Sequence, residues 1–157
     1  TLAKALGGGL PLGAVLAAEE VSRAFGPGSH GSTFGGNPVS CAAGAAVMAA
    51  LLEKGLIKNA SQMGSYLFEK LEGLKRKYDF IVDVRGLGLM LGMELSIGGG
   101  KIVDLCREKG LLLNCASQKV LRFLPPLNIK KEHVDRAVEI LDEVMGSISE
   151  EGEDGIG

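Results

Sequence analysis

Beyond residue 55 the apolar positions recur either every three to four residues or at alternate residues, the signatures of amphipathic helix and half-buried strand. Met63, Leu67, Leu71, Leu74 and Tyr78 form a helical stripe over residues 59–78, with Glu69, Lys70, Glu72, Lys75, Arg76 and Lys77 on the outside. That stripe is core packing and carries no chemistry. Residues 80–85 and 87–95 read as two strands joined around Gly86, the second with glycines where backbones can approach closely. Residues 101–109 make a helix stopped by Gly110, residues 111–113 a short strand, and residues 120–124 another strand ended by Pro125. A last helix runs over residues 131–145, with Val134, Ala137, Val138, Leu141 and Val144 inward. The predicted order is helix, strand, strand, helix, strand, strand, helix. Such an order makes a compact α+β unit with helices on one face of a small, largely antiparallel sheet.

The chain before residue 55 is patterned differently. Residues 13–18 are a short apolar run that predicts a buried strand, and residues 19–25 a short helix stopped by Gly26-Pro27-Gly28. A loop rich in Gly, Ser and Thr leads to Asn37-Pro38, where asparagine can cap free N–H groups and proline suits the first helical turn. The helix over residues 38–54 has small residues nearly all round, as in a helix buried in a larger core. Lys54 and Gly55 close it, a cation in the last turn and then a glycine. The expected organisation is therefore an incomplete part over residues 1–54, a small α+β domain over 55–148 and a flexible acidic tail over 149–157. No internal repeat is visible.

A length of 157 residues suits one domain, or a small domain plus a piece of another. The formal charge of −2 offers no polybasic surface for nucleic acid or membrane. Three cysteines without C-x-x-C spacing and only two histidines build neither a metal site nor a disulfide framework. Two of the three cysteines lie in strongly apolar contexts, as reduced thiols of a cytoplasmic protein do. The most apolar run, residues 39–52, is too short for a membrane span. The first residue is not Met and already lies in a patterned segment, so the chain is expected to be a piece of a longer protein.

Three features carry chemistry. Lys4 lies in an apolar run that ends in Gly7-Gly8-Gly9. A lysine deprived of hydration exposes a nucleophilic amine of the kind that forms a Schiff base; the alternative is an ordinary solvated lysine. The lysine precedes the glycines, so this is not a Walker A loop. Ser32 and Thr33, flanked by glycines, lead into a helix N-terminus, an arrangement that suits phosphate or is simply an asparagine-capped loop. Arg122, inside the apolar strand that ends at Pro125, fits a carboxylate bidentately or makes an internal salt bridge.

Taken together, Thr1-Leu-Ala-Lys-Ala-Leu-Gly-Gly-Gly-Leu-Pro-Leu-Gly-Ala14, Gly31-Ser-Thr-Phe-Gly-Gly-Asn-Pro38, Arg85-Gly-Leu-Gly-Leu-Met-Leu-Gly92 and Leu121-Arg-Phe-Leu-Pro-Pro-Leu127 resemble the C-terminal part of class III pyridoxal-phosphate aminotransferases. The resemblance runs to about residue 146. It implies an α/β fold type I architecture: residues 1–54 as the remnant of the large cofactor domain, and the small C-terminal domain after it. It implies pyridoxal 5'-phosphate as cofactor, with Lys4 as its Schiff-base lysine, and Thr33 bonding its phosphate across a homodimer. Ser32 is placed beside the substrate and Arg122 on the substrate carboxylate. The implied reaction, part of arginine biosynthesis, moves the terminal amino group of N-acetylornithine to 2-oxoglutarate; ornithine or 4-aminobutyrate are the alternative donors. The family's pyridinium-pairing acid, ring-stacking aromatic and phosphate loop match nothing here. This chain alone is therefore expected to be inactive, or a non-catalytic dimerisation module.

Overall fold

The computed structural model describes residues 1–153 and divides into two compact units, Thr1–Leu56 and a second that begins at Ile57.

The first unit holds a 3-10 turn at Lys4–Gly7, α1 (Glu19–Ser22) and α2 (Pro38–Glu53). Asn37 caps α2: its side-chain oxygen accepts from the Ser40 N–H at 2.9 Å, and Pro38 opens the first turn. Gly44 lets Leu12, in the segment after the 3-10 turn, pack on the helix, since a Cβ there would lie 2.4 Å from Leu12 Cδ2. Two expectations fail in this unit. Residues 13–18 form no strand; one isolated bridge joins Leu2 to Ala14, and Val15 and Leu16 are exposed. A strand needs a ladder, and only Leu2 pairs with this run. Nor is α2 buried all round: only Ser40 and Gly44 are, because the short segments of the unit cover a single side of it.

The second unit is a four-stranded antiparallel sheet in the order β1-β2-β4-β3, with α3 (Leu56–Lys77), α4 (Gly100–Glu108) and α5 (Lys131–Glu153) contributing to one core. The strands are β1 (Ile81–Leu87), β2 (Met90–Leu95), β3 (Asn114–Ala116) and β4 (Val120–Phe123). Alternation sends Leu91, Met93, Leu95, Leu121 and Phe123 into the core with Leu71, Ile102 and Leu141 of the helices. Each such burial is worth roughly 1.5–3 kcal/mol. The same alternation turns Arg85, Gly92, Glu94 and Arg122 to the other face.

Three boundaries differ from expectation. The first hairpin turns at Gly88 and Leu89, not at Gly86, which remains in the ladder opposite Leu91. The turn rests against α3, where a Cβ on Gly64 would come within 2.3 Å of the Gly88 backbone. Residues 111–113 are not a strand. Gly110, at φ 86, and the Leu111 N–H to Cys106 carbonyl bond of 2.8 Å use them to leave α4, and pairing starts at Asn114. Finally, α5 continues to Glu153, so the expected tail is helical over residues 149–153; its remainder lies outside the described residues. Val144 and Met145 are fully buried and Ile148 packs on the core, which carries the helix past residue 145.

Polar groups at the α3–α5 seam titrate with folding. Tyr78 donates to Asp142 Oδ1 at 2.7 Å, and Lys77 Nζ lies 2.7 Å from the same oxygen. Partial burial pushes the Asp142 carboxyl up, but the bonds from Lys77 and Tyr78, with the lysine charge, outweigh it and hold it below the usual range. A carboxyl depressed in the folded state stabilises fully above its unfolded pKa of about 3.9, and that contribution is lost as pH falls through the folded value. Asp142→Asn is therefore expected to cost more stability at pH 7 than at strongly acid pH, in thermal melts across pH. An equal loss at both pH values would refute the linkage. Cys106 is fully buried, and burial pushes its thiol up to about 11, so it is a protonated packing residue at neutral pH.

Candidate active site

Lys4 opens the 3-10 turn, just after a two-bond bridge in which Leu2 N–H donates to the Ala14 carbonyl at 2.7 Å and Ala14 N–H to the Leu2 carbonyl at 2.9 Å. Its φ is 57, unusual for a residue with a side chain and costing on the order of 1–3 kcal/mol. Gly8, at φ 60, closes the turn by donating its N–H to the Ala5 carbonyl. A Cβ on Gly8 would meet Val47 of α2 at 3.0 Å, so the glycine run seats the turn on the helix. The Lys4 side chain is exposed. The desolvation suggested by its apolar context is not supplied by this unit. What the fold supplies is a held backbone that presents a primary amine.

Ser32 and Thr33 lie in the loop before α2, and both are exposed. The Gly35 N–H donates to the Ser32 carbonyl at 3.4 Å, and Gly36 takes φ 74 to enter the helix. Ser32, Gly35, Gly36, Asn37 and Ser40 line an open groove of about 750 Å³ with Leu12. The Thr33 hydroxyl has no hydrogen-bond partner among the described residues. Asn37 was read from the sequence as the helix cap and not as a lining residue, and Ser40 was not singled out. Asn37 Nδ2 donates to the Phe34 carbonyl at 3.0 Å and to Ser40 Oγ at 3.1 Å, which ties the loop to the helix start. Asn-Pro followed by a serine two residues later was the available signal. Lys4 does not line this groove.

Arg122 belongs to the second unit. On β4 it sits between Gly92 of β2 and Asn114 of β3, points away from the core, and is exposed. The burial that would make an arginine costly in an apolar strand does not occur, because Leu121 and Phe123 take the inward positions. Among the described residues it has no ion-pair partner, so the internal salt bridge is not made. Beside it, Leu113, Phe123, Pro125, His133 and Ala137 line an apolar cavity of about 340 Å³. His133 Nδ1 accepts from the Lys130 N–H at 3.2 Å, a side chain reaching back over the start of α5 as in a capping box.

These donors fit part of what a phosphorylated aldehyde cofactor requires. An accessible amine suits the aldehyde, and a free hydroxyl among glycine N–H groups at a helix start suits the phosphate. A carboxylate for a pyridinium nitrogen is not offered: the acids of the first unit are Glu19, Glu20 and Glu53, none lines the groove, and Glu19 already bonds Arg23. Among the described residues no cluster of His, Cys, Asp or Glu could hold a metal ion, and no single helix is long and apolar enough to cross a membrane.

The family model described as aminotransferase class-III matches residues 1–145. The acetylornithine aminotransferase of Methanocaldococcus jannaschii is 53% identical over 150 residues, which span 94% of this chain and 37% of that protein. That of Aquifex aeolicus is 53% identical over 144 residues, 92% of this chain and 36% of its own length. Among solved structures, acetylornithine aminotransferase from Elizabethkingia anophelis superposes with a TM-score of 0.85 at 32% identity, covering 92% of this chain and 38% of that one. Ornithine aminotransferase from Plasmodium yoelii does so with a TM-score of 0.85 at 33% identity, covering 92% and 39%. The α/β architecture with its antiparallel sheet is thus that of this group of enzymes. The chain spans little more than a third of the length of the relatives it matches.

Proposed function

We propose that this chain, which belongs to the class-III aminotransferases, is part of a pyridoxal-phosphate enzyme that moves the terminal amino group of N-acetylornithine to 2-oxoglutarate. The observation that carries the substrate reading is identity of 46–53% to relatives named acetylornithine aminotransferase. In this reading residues 1–54 belong to the large cofactor-binding domain and residues 55–148 form the small C-terminal domain. The parent works in arginine biosynthesis, in the cytoplasm, as a homodimer. This chain by itself lacks the pyridinium partner and does not catalyse.

When bound, the cofactor supplies an aldehyde that exchanges for the amino group and a ring that takes up the electron pair released at the substrate carbon. Lys4 Nζ would hold the cofactor before substrate arrives, and would then carry the proton released from the amino-bearing carbon of the substrate to the cofactor carbon. Its held backbone supports the role, since a fixed attachment point lowers the entropy of bringing the amine to its target. Thr33 Oγ1 donates to the phosphate in the partner subunit's site. Its free hydroxyl, and the absence of Lys4 from the groove lined by Ser32, are consistent with service across a dimer. Ser32 lies beside the substrate, and Arg122 takes the substrate carboxylate with two parallel N–H donors.

Steady-state kinetics on the full-length parent test the substrate. N-acetylornithine is expected to give kcat/KM at least tenfold above ornithine and 4-aminobutyrate; a preference for ornithine would overturn the reading. Arg122→Leu should lower kcat/KM for both amino acid and oxo acid by roughly 10–100-fold, the scale of about 1.5–3 kcal/mol for hydrogen bonds to a charged group. An unchanged response to 2-oxoglutarate would remove Arg122 from the site.

A further inference from the structure

The open face of the sheet carries a row of which the function above uses only Arg122. Register places Arg85, Gly92, Arg122 and Asn114 side by side across β1, β2, β4 and β3. Arg85 is neutralised, at 2.6 Å from Glu94 and 3.0 Å from Asp83, and this also occupies the acids of the adjoining row. Arg122 is left as the unpaired cation of the row among the described residues. On one side Gly92 offers no side chain. On the other, Asn114 is exposed, and its carboxamide makes no side-chain hydrogen bond among the described residues.

Directly opposed residues of an antiparallel pair hold their Cβ atoms about 4.5–5.5 Å apart, close enough for an asparagine to reach a guanidinium. The register is tightly held. Ser117 and Gln118 both take positive φ, 49 and 63, in the β3–β4 turn. The carbonyls of Gln118 and Lys119 accept from Gly99 and Leu95 N–H, each at 2.8 Å. Two non-glycine residues held at positive φ are strained, and such strain persists only where the surroundings fix it.

We infer that Asn114 is a positioning and specificity residue for the carboxylate that Arg122 binds, its Oδ1 accepting from the guanidinium and its Nδ2 donating to the carboxylate. The inference rests on the assignment of Arg122 to the substrate carboxylate. Arginine uses two of its five donors in a bidentate pair, so an amide at this place can orient the fork without competing for it. A carboxylate at the same place would compete.

The test uses full-length dimeric enzyme, with glutarate as a non-reacting dicarboxylate probe and 2-oxoglutarate as substrate. Asn114→Ala is expected to raise the glutarate Kd and the 2-oxoglutarate KM by three- to tenfold, with kcat within twofold. Asn114→Asp is expected to raise both by more than tenfold. In an Arg122→Leu background, Asn114→Ala should have a smaller effect than it has alone, because the guanidinium it orients is gone; a merely structural residue would add its full loss there. Thermal midpoints should stay level, since both positions are exposed. Unchanged glutarate binding in both Asn114 variants, with binding weakened by Arg122→Leu, would overturn the role of Asn114 and leave that of Arg122 standing. Unchanged binding in Arg122→Leu itself would remove both.

Discussion

Lys4→Ala in the full-length protein is expected to abolish the visible absorption of bound cofactor and to lower turnover by at least 10²–10⁴-fold, the range for losing a positioned proton-transfer group. Two roles fall together in this residue, attachment of the cofactor and proton transfer, so the effect should exceed that of any other single change in the chain. The spectral readout separates the roles from general damage. Lys4 is exposed and makes no side-chain hydrogen bond or ion pair among the described residues, so the variant should melt close to the parent. Alanine at φ 57 inherits the same backbone strain. A surviving absorption band that still responds to amino donor would sink the assignment. Arginine at this position keeps the charge but not the nucleophile, and is expected to fail as alanine does.

Gly86→Ala is the second large effect, and it acts on folding. Gly86 has φ 140, and a Cβ there would lie 2.1 Å from the Met90 carbonyl oxygen and 2.9 Å from Leu91 Cα. Both contacts are backbone of the paired strand, so no side chain can swing aside. Strain at such a φ is worth about 1–3 kcal/mol, and forcing atoms into packed structure adds roughly another 1–3. A loss of about 3 kcal/mol or more is therefore expected in denaturant melts, centred on the β1–β2 hairpin. Gly9→Ala gives the control. Its φ of 115 is also positive, but nothing lies within 4 Å of the added carbon, so it should register backbone strain alone. Equal losses for the two variants would show that the clash at Gly86 relaxes away.

The second unit was legible from pattern because its core is made by its own residues. The Leu67, Leu71, Leu74 stripe and the inward residues of β2 and β4 are all buried within it. Its misread hairpin turn has a simple cause. Local sequence shows glycines but not which of them faces a neighbour: Gly86 and Gly88 look alike, and only the approach of α3 through Gly64 makes Gly88 the turn. The first unit was legible in its cap and helix limits and not in its burial. A strand needs a ladder and an apolar helix needs a cover, and neither is a local property.

The same division runs through the candidate site. Residue order alone pointed to the residues of the proposed chemistry: a lysine before a glycine run, a Ser-Thr loop entering an asparagine-capped helix, and an arginine in an apolar strand, in the family's sequence. Only the tertiary structure decided that Lys4 sits at positive φ with its amine exposed, that Arg122 faces out unpaired, and that Asn114 stands opposite it. Reactivity follows side-chain type, which a sequence states outright. Exposure, pairing and strain depend on which distant residues arrive beside a group, and that is settled only when the sheet takes its register and the helices close on it.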